Sequence, residues 1–296
     1  MTGLWIVTAT AVMLMSSEEL ALEPPKADHP LSRQESSLEI TILPGAWIPR
    51  LDGESSFGPA GAGGDIHLSR QLGLNSSEPT VNVELTIRKR EVWELHFSGF
   101  DFSTESANRF VGSATFGGLA LAHGDPFRAS FDMTSFSAGM SIGVFRPFAD
   151  ERQGPANLDN RTWEGRYIAD LRISPEFGMR YLDISHTVIL PDGRSETAGG
   201  EWVAVYGGLQ FLLDYRPEHR LPFLHMLRMQ ASLAVGPALG GDGGIMWQVG
   251  AGLTVQITET LGVMIGYRLL ELDVENDDYT LQGGLQGLFL TGSVRF

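Results

Sequence analysis

The chain predicts an all-β fold, an antiparallel transmembrane β-barrel of about ten strands with eight as the alternative. Three observations carry that expectation. Apolar and polar residues alternate with a period of two from Leu38 onward, the pattern of strands with one apolar face, and helical periodicity is hard to find. The 36 glycines exceed the usual share of about 7% and sit inside apolar segments, as crowded, curved sheet requires. After the first 17 residues no run approaches the roughly 20 apolar residues of a spanning helix, so a membrane would have to be crossed by strands.

Composition narrows the rest. A length of 296 residues fits two ordinary domains or one large all-β domain. With 21 Lys and Arg against 36 Asp and Glu, the net charge is -15, and nucleic acid is not an expected partner because phosphate binding needs clustered cations. The absence of cysteine removes disulfides, thiolate zinc sites, iron–sulfur clusters and thiol nucleophiles.

Met1 to Met15 is an apolar run of signal-peptide length, and residues 1–21 read as an export signal cleaved after Ala21. The run lacks an N-terminal Lys or Arg, so a buried N-terminal helix or strand is the alternative. Residues 22–37 (LEPPKADHPLSRQESS) are polar and proline-containing, the composition of a flexible linker. Residues 38–296 then form one domain.

The first run places Leu38, Ile40, Ile42, Ala46 and Ile48 together, with Pro44 expected at an edge or bulge. Asp65 to Ser69 reads as a short return strand, and Arg70 to Glu78 as one helical turn. The second run puts Val81, Val83, Leu85, Ile87, Trp93, Leu95 and Phe97 on one face, against Glu84, Arg88, Arg90, Glu94, His96 and Ser98 on the other. In the third, Phe127, Phe131 and Met133 give way to Phe136, Met140, Ile142 and Val144, a change of phase that predicts a β-bulge near Thr134. The fourth carries Tyr167, Leu171, Ile173, Phe177, Met179 and Tyr181 opposite Asp170, Arg172, Ser174, Glu176 and Arg180. Five more strands are expected at Trp202 to Tyr215, Leu227 to Pro237, Ile245 to Thr258, Leu261 to Val274 and Leu281 to Phe296. The short link at Thr258 to Thr260 contrasts with longer polar ones at Pro191 to Gly200, Gly236 to Gly244 and Glu275 to Tyr279. Such alternation marks the two rims of membrane barrels.

Which face lies inside decides between membrane and water. The polar faces carry five acids (Glu84, Glu94, Asp170, Glu176, Asp214) and six bases (Arg88, Arg90, Arg172, Arg180, Arg228, Arg268), nearly matched although the whole chain is acidic. Matched charges suit ion pairs across a narrow lumen. Small residues at Gly250, Gly252, Gly262 and Gly266 leave room for a lumen filled by side chains. Trp93, Phe97 to Phe102, Tyr167, Tyr181, Trp202, Tyr215, Trp247, Tyr267 and Phe296 mark segment ends, as interfacial aromatic girdles do. A secreted soluble β-barrel binding a small apolar ligand remains the alternative.

The segment Leu288-Phe289-Leu290-Thr291-Gly292-Ser293-Val294-Arg295-Phe296 resembles the C-terminal strand of bacterial outer-membrane β-barrels, in which a terminal aromatic and alternating apolar residues are read by the assembly machinery. The glycine of that pattern is displaced by one position. Phe177-Gly178-Met179-Arg180-Tyr181-Leu182-Asp183 and the segment from Ile265 to Asp273 look like the G-Y-R-Y-L-D strands of small porin-like and OmpA-like barrels. The resemblance, covering Leu38 to Phe296, implies the bacterial outer membrane. It further implies outer-membrane lipids and the barrel-assembly machinery as partners, and a structural or narrow-pore role in small-solute passage. Counting back from a periplasmic Phe296, nine clear strands require an even total, which Asp65 to Ser69 raises to ten.

The chain holds no GxxxxGK[ST], HExxH, EF-hand or GxSxG motif, and no cofactor or metal is expected. His67, His123, His186, His219 and His225 lack ligand spacing, and the acidic turn at Glu275, Asp277 and Asp278 reads as solvated. The single enzymatic hint is His96-Phe97-Ser98, two side chains on one side of a strand with Glu94 nearby. It resembles the H-x-S pair of outer-membrane lipid hydrolases, although theirs reads HxSN and here Gly99 follows. An enzyme is not expected. The candidate lumen charge network is Glu84, Arg88, Arg90, Glu94, Asp170, Arg172, Glu176, Arg180, Arg228 and Arg268.

Overall fold

A computed structural model describes residues 38–58, 64–89, 93–143, 145, 169–215 and 224–296. The expected signal and linker, Arg90, Val144 and Tyr167 lie outside those residues. The chain begins with β1 (Leu38–Phe57), the two-residue β2 (Ile66–His67), β3 (Thr80–Lys89) and β4 (Trp93–Arg109). A small hairpin follows, β5 (Ala114–Phe116) and β6 (Leu119–Leu121), and then β7 (Pro126–Ile142), β8 (Ala169–Ile189) and β9 (Ser195–Tyr215). The last four are β10 (Met226–Leu239), β11 (Gly243–Gln256), β12 (Leu261–Asn276) and β13 (Tyr279–Arg295).

Ten of these strands form a closed antiparallel barrel, each pairing with the next and β13 pairing back onto β1. The stagger of the ring follows from its register. A path from Ile40 across successive partners (Ile87, Leu95, Met140, Phe177, Gly207, Val235, Trp247, Glu271 and Gly284) returns to β1 at Asp52, twelve residues further along. Ten strands with that shear, spaced about 4.8 Å apart with about 3.3 Å per residue, are tilted by roughly 40° around a backbone radius of about 10 Å. Such a bore is filled by side chains.

The count of ten is reached differently from the sequence expectation. The run from Val81 to Phe97 divides into β3 and β4, which supplies the tenth strand, whereas Asp65 to Ser69 contributes only the two pairs Glu54–His67 and Ser55–Ile66. In place of the helical turn expected over Arg70 to Glu78, a tight turn spans Leu68 to Gln71, where the Gln71 and Leu72 amides donate to the His67 carbonyl, and residues 73–79 are neither helix nor strand. The long polar links are mostly strand: β9 starts at Ser195, β10 runs to Leu239, and β12 and β13 are joined by a tight turn at Asp277 and Asp278.

No bulge interrupts β7. It keeps continuous register with β4 from Pro126 to Ile142 and with β8 over Arg128 to Ser141. Its apolar residues change phase because the barrel itself changes sidedness at this level. Toward the rim holding Leu38 and Phe296, Phe136, Met140 and Ile142 point outward. Toward the far rim, Phe127, Ala129, Phe131 and Met133 point inward and are buried.

The same inversion runs round the ring. Near the termini, Ile48, Val83, Phe97, Phe177, Val205, Leu233, Val249, Ile265 and Leu290 face outward and are exposed. Beyond that belt the outward positions become Asp52, Asp101, Asp132, Asp183, Glu201 and Glu271, while Leu51, Phe102, Leu182, Ile184, Trp202, Leu270 and Leu281 are buried inside. The turn at Leu68 and the strands β5 and β6 add Leu68, Leu72, Phe116 and Leu119 to this interior. One half is a membrane barrel and the other is built like a water-soluble one. Trp202 and Phe102, expected in an aromatic girdle, lie in the far core, and the Trp202 indole donates to the Glu275 carbonyl at 3.4 Å.

Candidate functional site

The interior of the belt half is polar because strict alternation sends every second residue of each strand inward. Its charges pair across strands. Near the terminal rim, Arg88 binds Glu94 through its Nε (2.8 Å) and lies 3.5 Å from Glu39, which in turn accepts from Arg295 at 2.6 Å. Beside them Asp214 accepts from Arg172 at 2.7 Å and from the Nε and Nη2 of Arg228 at 2.7 and 3.0 Å, with Asp170 at 3.5 Å from Arg172. One level further in, Arg268 pairs with Glu84 and donates to Asn82 Oδ1 at 3.2 Å. Its guanidinium lies over Trp47 and Phe289, 5.7 and 5.4 Å from their ring centres.

Of the residues named from sequence, nine are brought into this lumen and Arg90 lies outside the described residues. Two of the facings expected among these arginines and carboxylates are present, Arg88 with Glu94 and Arg172 with Asp170, and the remaining partners differ. Glu84 takes Arg268, Arg172 takes Asp214, and Arg180 donates to the neutral Ser135 Oγ (2.9 Å) and Gln248 Oε1 (2.8 Å). Sequence reasoning left out Glu39, Gln248, Tyr206 and Arg295. Glu39 and Arg295 had a signal, since both stand at inward phase beside the strand ends.

His96 lies 3.1 Å from Glu176 and 3.2 Å from the Tyr206 hydroxyl. Gly139 and Gly178, opposite each other in β7 and β8, make the space for that pair: a Cβ on Gly178 would stand 2.5 Å from the Tyr206 hydroxyl, and one on Gly139 2.9 Å from it. The arrangement that an H-x-S hydrolase would need does not assemble among these residues. Ser98 is bonded to Ser137 at 2.7 Å, His96 is held by Glu176, and Glu94 is taken by Arg88. The triad logic needs a nucleophile bonded to its base.

These side chains enclose a chamber of about 130 Å³ lined by Glu84, His96, Glu176, Arg180, Tyr206 and Arg268, among others. A smaller void of about 40 Å³ shares Glu94, Gln210 and Gln230 with it and extends to Thr41, Ser293 and Arg295 at the terminal rim. On the far side the chamber ends at Phe289, and beyond it the interior is the dry core. Trp47 meets Phe100 edge-on at 4.9 Å, and its indole donates to the Gly287 carbonyl at 3.3 Å.

The far core buries one titratable ring. His186 packs against Phe116 and Phe131 with centroids 4.7 and 6.1 Å away, and its Nδ1 lies 3.3 Å from Ser55 Oγ. Burial holds its pKa far below the usual histidine value, at about 3. Burial likewise raises the Tyr279 phenol. Among the described residues no group of three or more histidines and carboxylates is placed to hold a metal ion.

An apolar outer belt, a closed ring of backbone hydrogen bonds and a polar interior together define a transmembrane β-barrel, since no unpaired strand edge meets lipid. A soluble apolar-ligand carrier would need the opposite sidedness in this half. No family model and no curated protein matches the chain. Among solved structures it is similar to Ail, the attachment invasion locus protein of Yersinia pestis, at 12% identity and a TM-score of 0.34, over 88% of this chain and 99% of that one. It is also similar to the transport unit of the autotransporter AIDA-I from Escherichia coli, at 9% identity and a TM-score of 0.33 over 94% and 93% of the two chains. The Pseudomonas putida toluene transporter TodX follows at 9% and 0.28, over 90% and 92%. Likenesses this remote bear on no activity.

Proposed function

We propose that this protein is a bacterial outer-membrane barrel with a structural role: a closed membrane anchor that holds a rigid β-built head above the lipid. The observation that carries this reading is the change of sidedness. Above the ion-paired lumen the same ten strands continue as a dry core, and Trp47, Phe100, Leu270 and Phe289 stand between the chamber and the far rim. A narrow passage for small solutes would require that core to open, with loss of its apolar burial. The rim carrying Leu38 and Phe296 is then periplasmic. Outer-membrane lipids cover the belt, and the β13 strand ending at Phe296 is the segment offered to the barrel-assembly machinery.

The test is conductance of the full chain in a planar bilayer. The expected result is insertion without unitary current steps, judged by a heat-dependent gel shift of the same preparation. Regular, reproducible steps would overturn the closed-anchor reading.

A further inference from the structure

Arg180 is the unusual charge of this lumen. Its side chain is 4% exposed, and its hydrogen bonds run only to the neutral Ser135 and Gln248. Its Nε has no partner among the described residues. A guanidinium does not lose its proton in proteins, and a buried charge is costly unless it is paired with an opposite one. Every other arginine of the described lumen has a carboxylate within 4 Å: Arg88, Arg172, Arg228, Arg268 and Arg295. The three carboxylates on the Arg180 chamber are engaged elsewhere, Glu84 by Arg268, Glu94 by Arg88 and Glu176 by His96.

A second polar atom of the chamber is in the same position. The Nδ1 of His96 is buried without a partner, while Nε2 of that ring faces Glu176 and Tyr206. Two residues that line one chamber of about 130 Å³ thus each carry a buried nitrogen without a partner among the described residues, one of them on a permanent cation. For comparison, an apolar cavity of about 150 Å³ holds a benzene molecule. A carboxylate matches the planar fork of a guanidinium, and the chamber admits only a short one. From these observations we propose that the blind lumen binds one small carboxylate anion on Arg180, reached from the terminal rim through the void at Thr41 and Arg295.

Isothermal titration of the refolded full-length barrel in detergent tests this, using sodium acetate and, separately, sodium chloride and phosphate. The expected result is saturable acetate binding at one site per barrel. Arg180→Gln should weaken it at least tenfold. Because that variant also removes the bonds to Ser135 and Gln248, Ser232→Phe is the companion: it fills the chamber from β10 and leaves Arg180 in place. Loss of acetate binding in a Ser232→Phe barrel that keeps its heat-dependent gel shift supports the site. No saturable acetate signal, unchanged binding in Ser232→Phe, or binding of chloride or phosphate without acetate would each overturn it. The conductance test does not depend on this outcome, so either idea can fail alone.

Discussion

The hydroxyl of Tyr206 lies against Gly178, so close that a Cβ there would stand 2.5 Å from it. Tyr206 comes from β9 and reaches His96 on β4 across the backbones of β8 and β7, and only glycine at positions 178 and 139 leaves that route open.

Gly178→Ala is therefore expected to displace Tyr206 and break its contact with His96. Overpacking of this kind costs about 1–3 kcal/mol. The temperature at which the folded band is lost on unboiled SDS gels should fall, and Gly250→Ala, where the nearest atom is the Ser232 hydroxyl at 3.1 Å, should fall less. Equal losses in the two variants would refute the notch.

Arg268 and Glu84 give a second expectation. Arg268→Met leaves the partly buried Glu84 without its cation, at a cost of up to the roughly 3–5 kcal/mol of breaking a fully buried pair. The double variant with Glu84→Gln should recover part of that loss. Urea unfolding in lipid vesicles, followed by tryptophan fluorescence, measures both. A double variant no better than the single one would show that Arg268 acts through Trp47 and Phe289 alone.

The buried ring of His186 sets a pH dependence in the far half. Its folded pKa is about 3 against 6.5 for the free side chain, so between those values the unfolded chain binds the extra proton. Stability therefore falls as pH drops from about 6.5 towards 3, by up to about 1.4 kcal/mol per unit from this group. His186→Phe, which keeps an aromatic ring against Phe116 and Phe131, should flatten melting curves measured across that window. An unchanged slope would place the acid sensitivity elsewhere.

The seam of the barrel is the fourth test. Phe296 exchanges backbone bonds with Ile40, its amide donating at 2.9 Å and its carbonyl accepting at 3.3 Å. Deleting Phe296 removes the last bonds of the β1–β13 closure and the terminal aromatic together. Folded yield should drop in vivo by more than in refolding with detergent alone, if that residue also serves assembly. Equal drops would assign it to the seam only.

Much of this was legible in the sequence, and the reason lies in alternation. Glu84, Arg88, Glu94 and Arg172 could be placed inside because period two fixes a face without any knowledge of the neighbours. The partners could not be read, since they depend on the register that sets Arg228 opposite Asp214 and on the shear that brings Arg268 to Glu84. The far core was written in the chain as a repeated phase change, from Phe97 to Phe100 and Phe102, from Phe136 to Met133 and Phe131, and from Leu269 to Leu270 and Leu272. Read one strand at a time, as at Thr134, it looked like a bulge. Only its recurrence at one level round the ring identifies it. The two G-x-R-x-L segments record the same boundary: Gly178 and Gly266 yield to Tyr206 and Phe289, Arg180 and Arg268 point into the lumen, and Leu182 and Leu270 begin the dry core.

Because leucines give way to carboxylates on the outer wall within a residue or two, the barrel has one vertical setting in a bilayer. Sinking further would carry Asp52, Asp101, Asp183, Glu201 and Glu271 into hydrocarbon, and rising would strand Val205, Leu233 and Ile265 in water. Both displacements are penalised, so a lipid layer of different thickness must deform to meet the protein. The molecule is in that sense a gauge of the membrane it occupies, with its zero mark at the level where Phe136 faces Gly99.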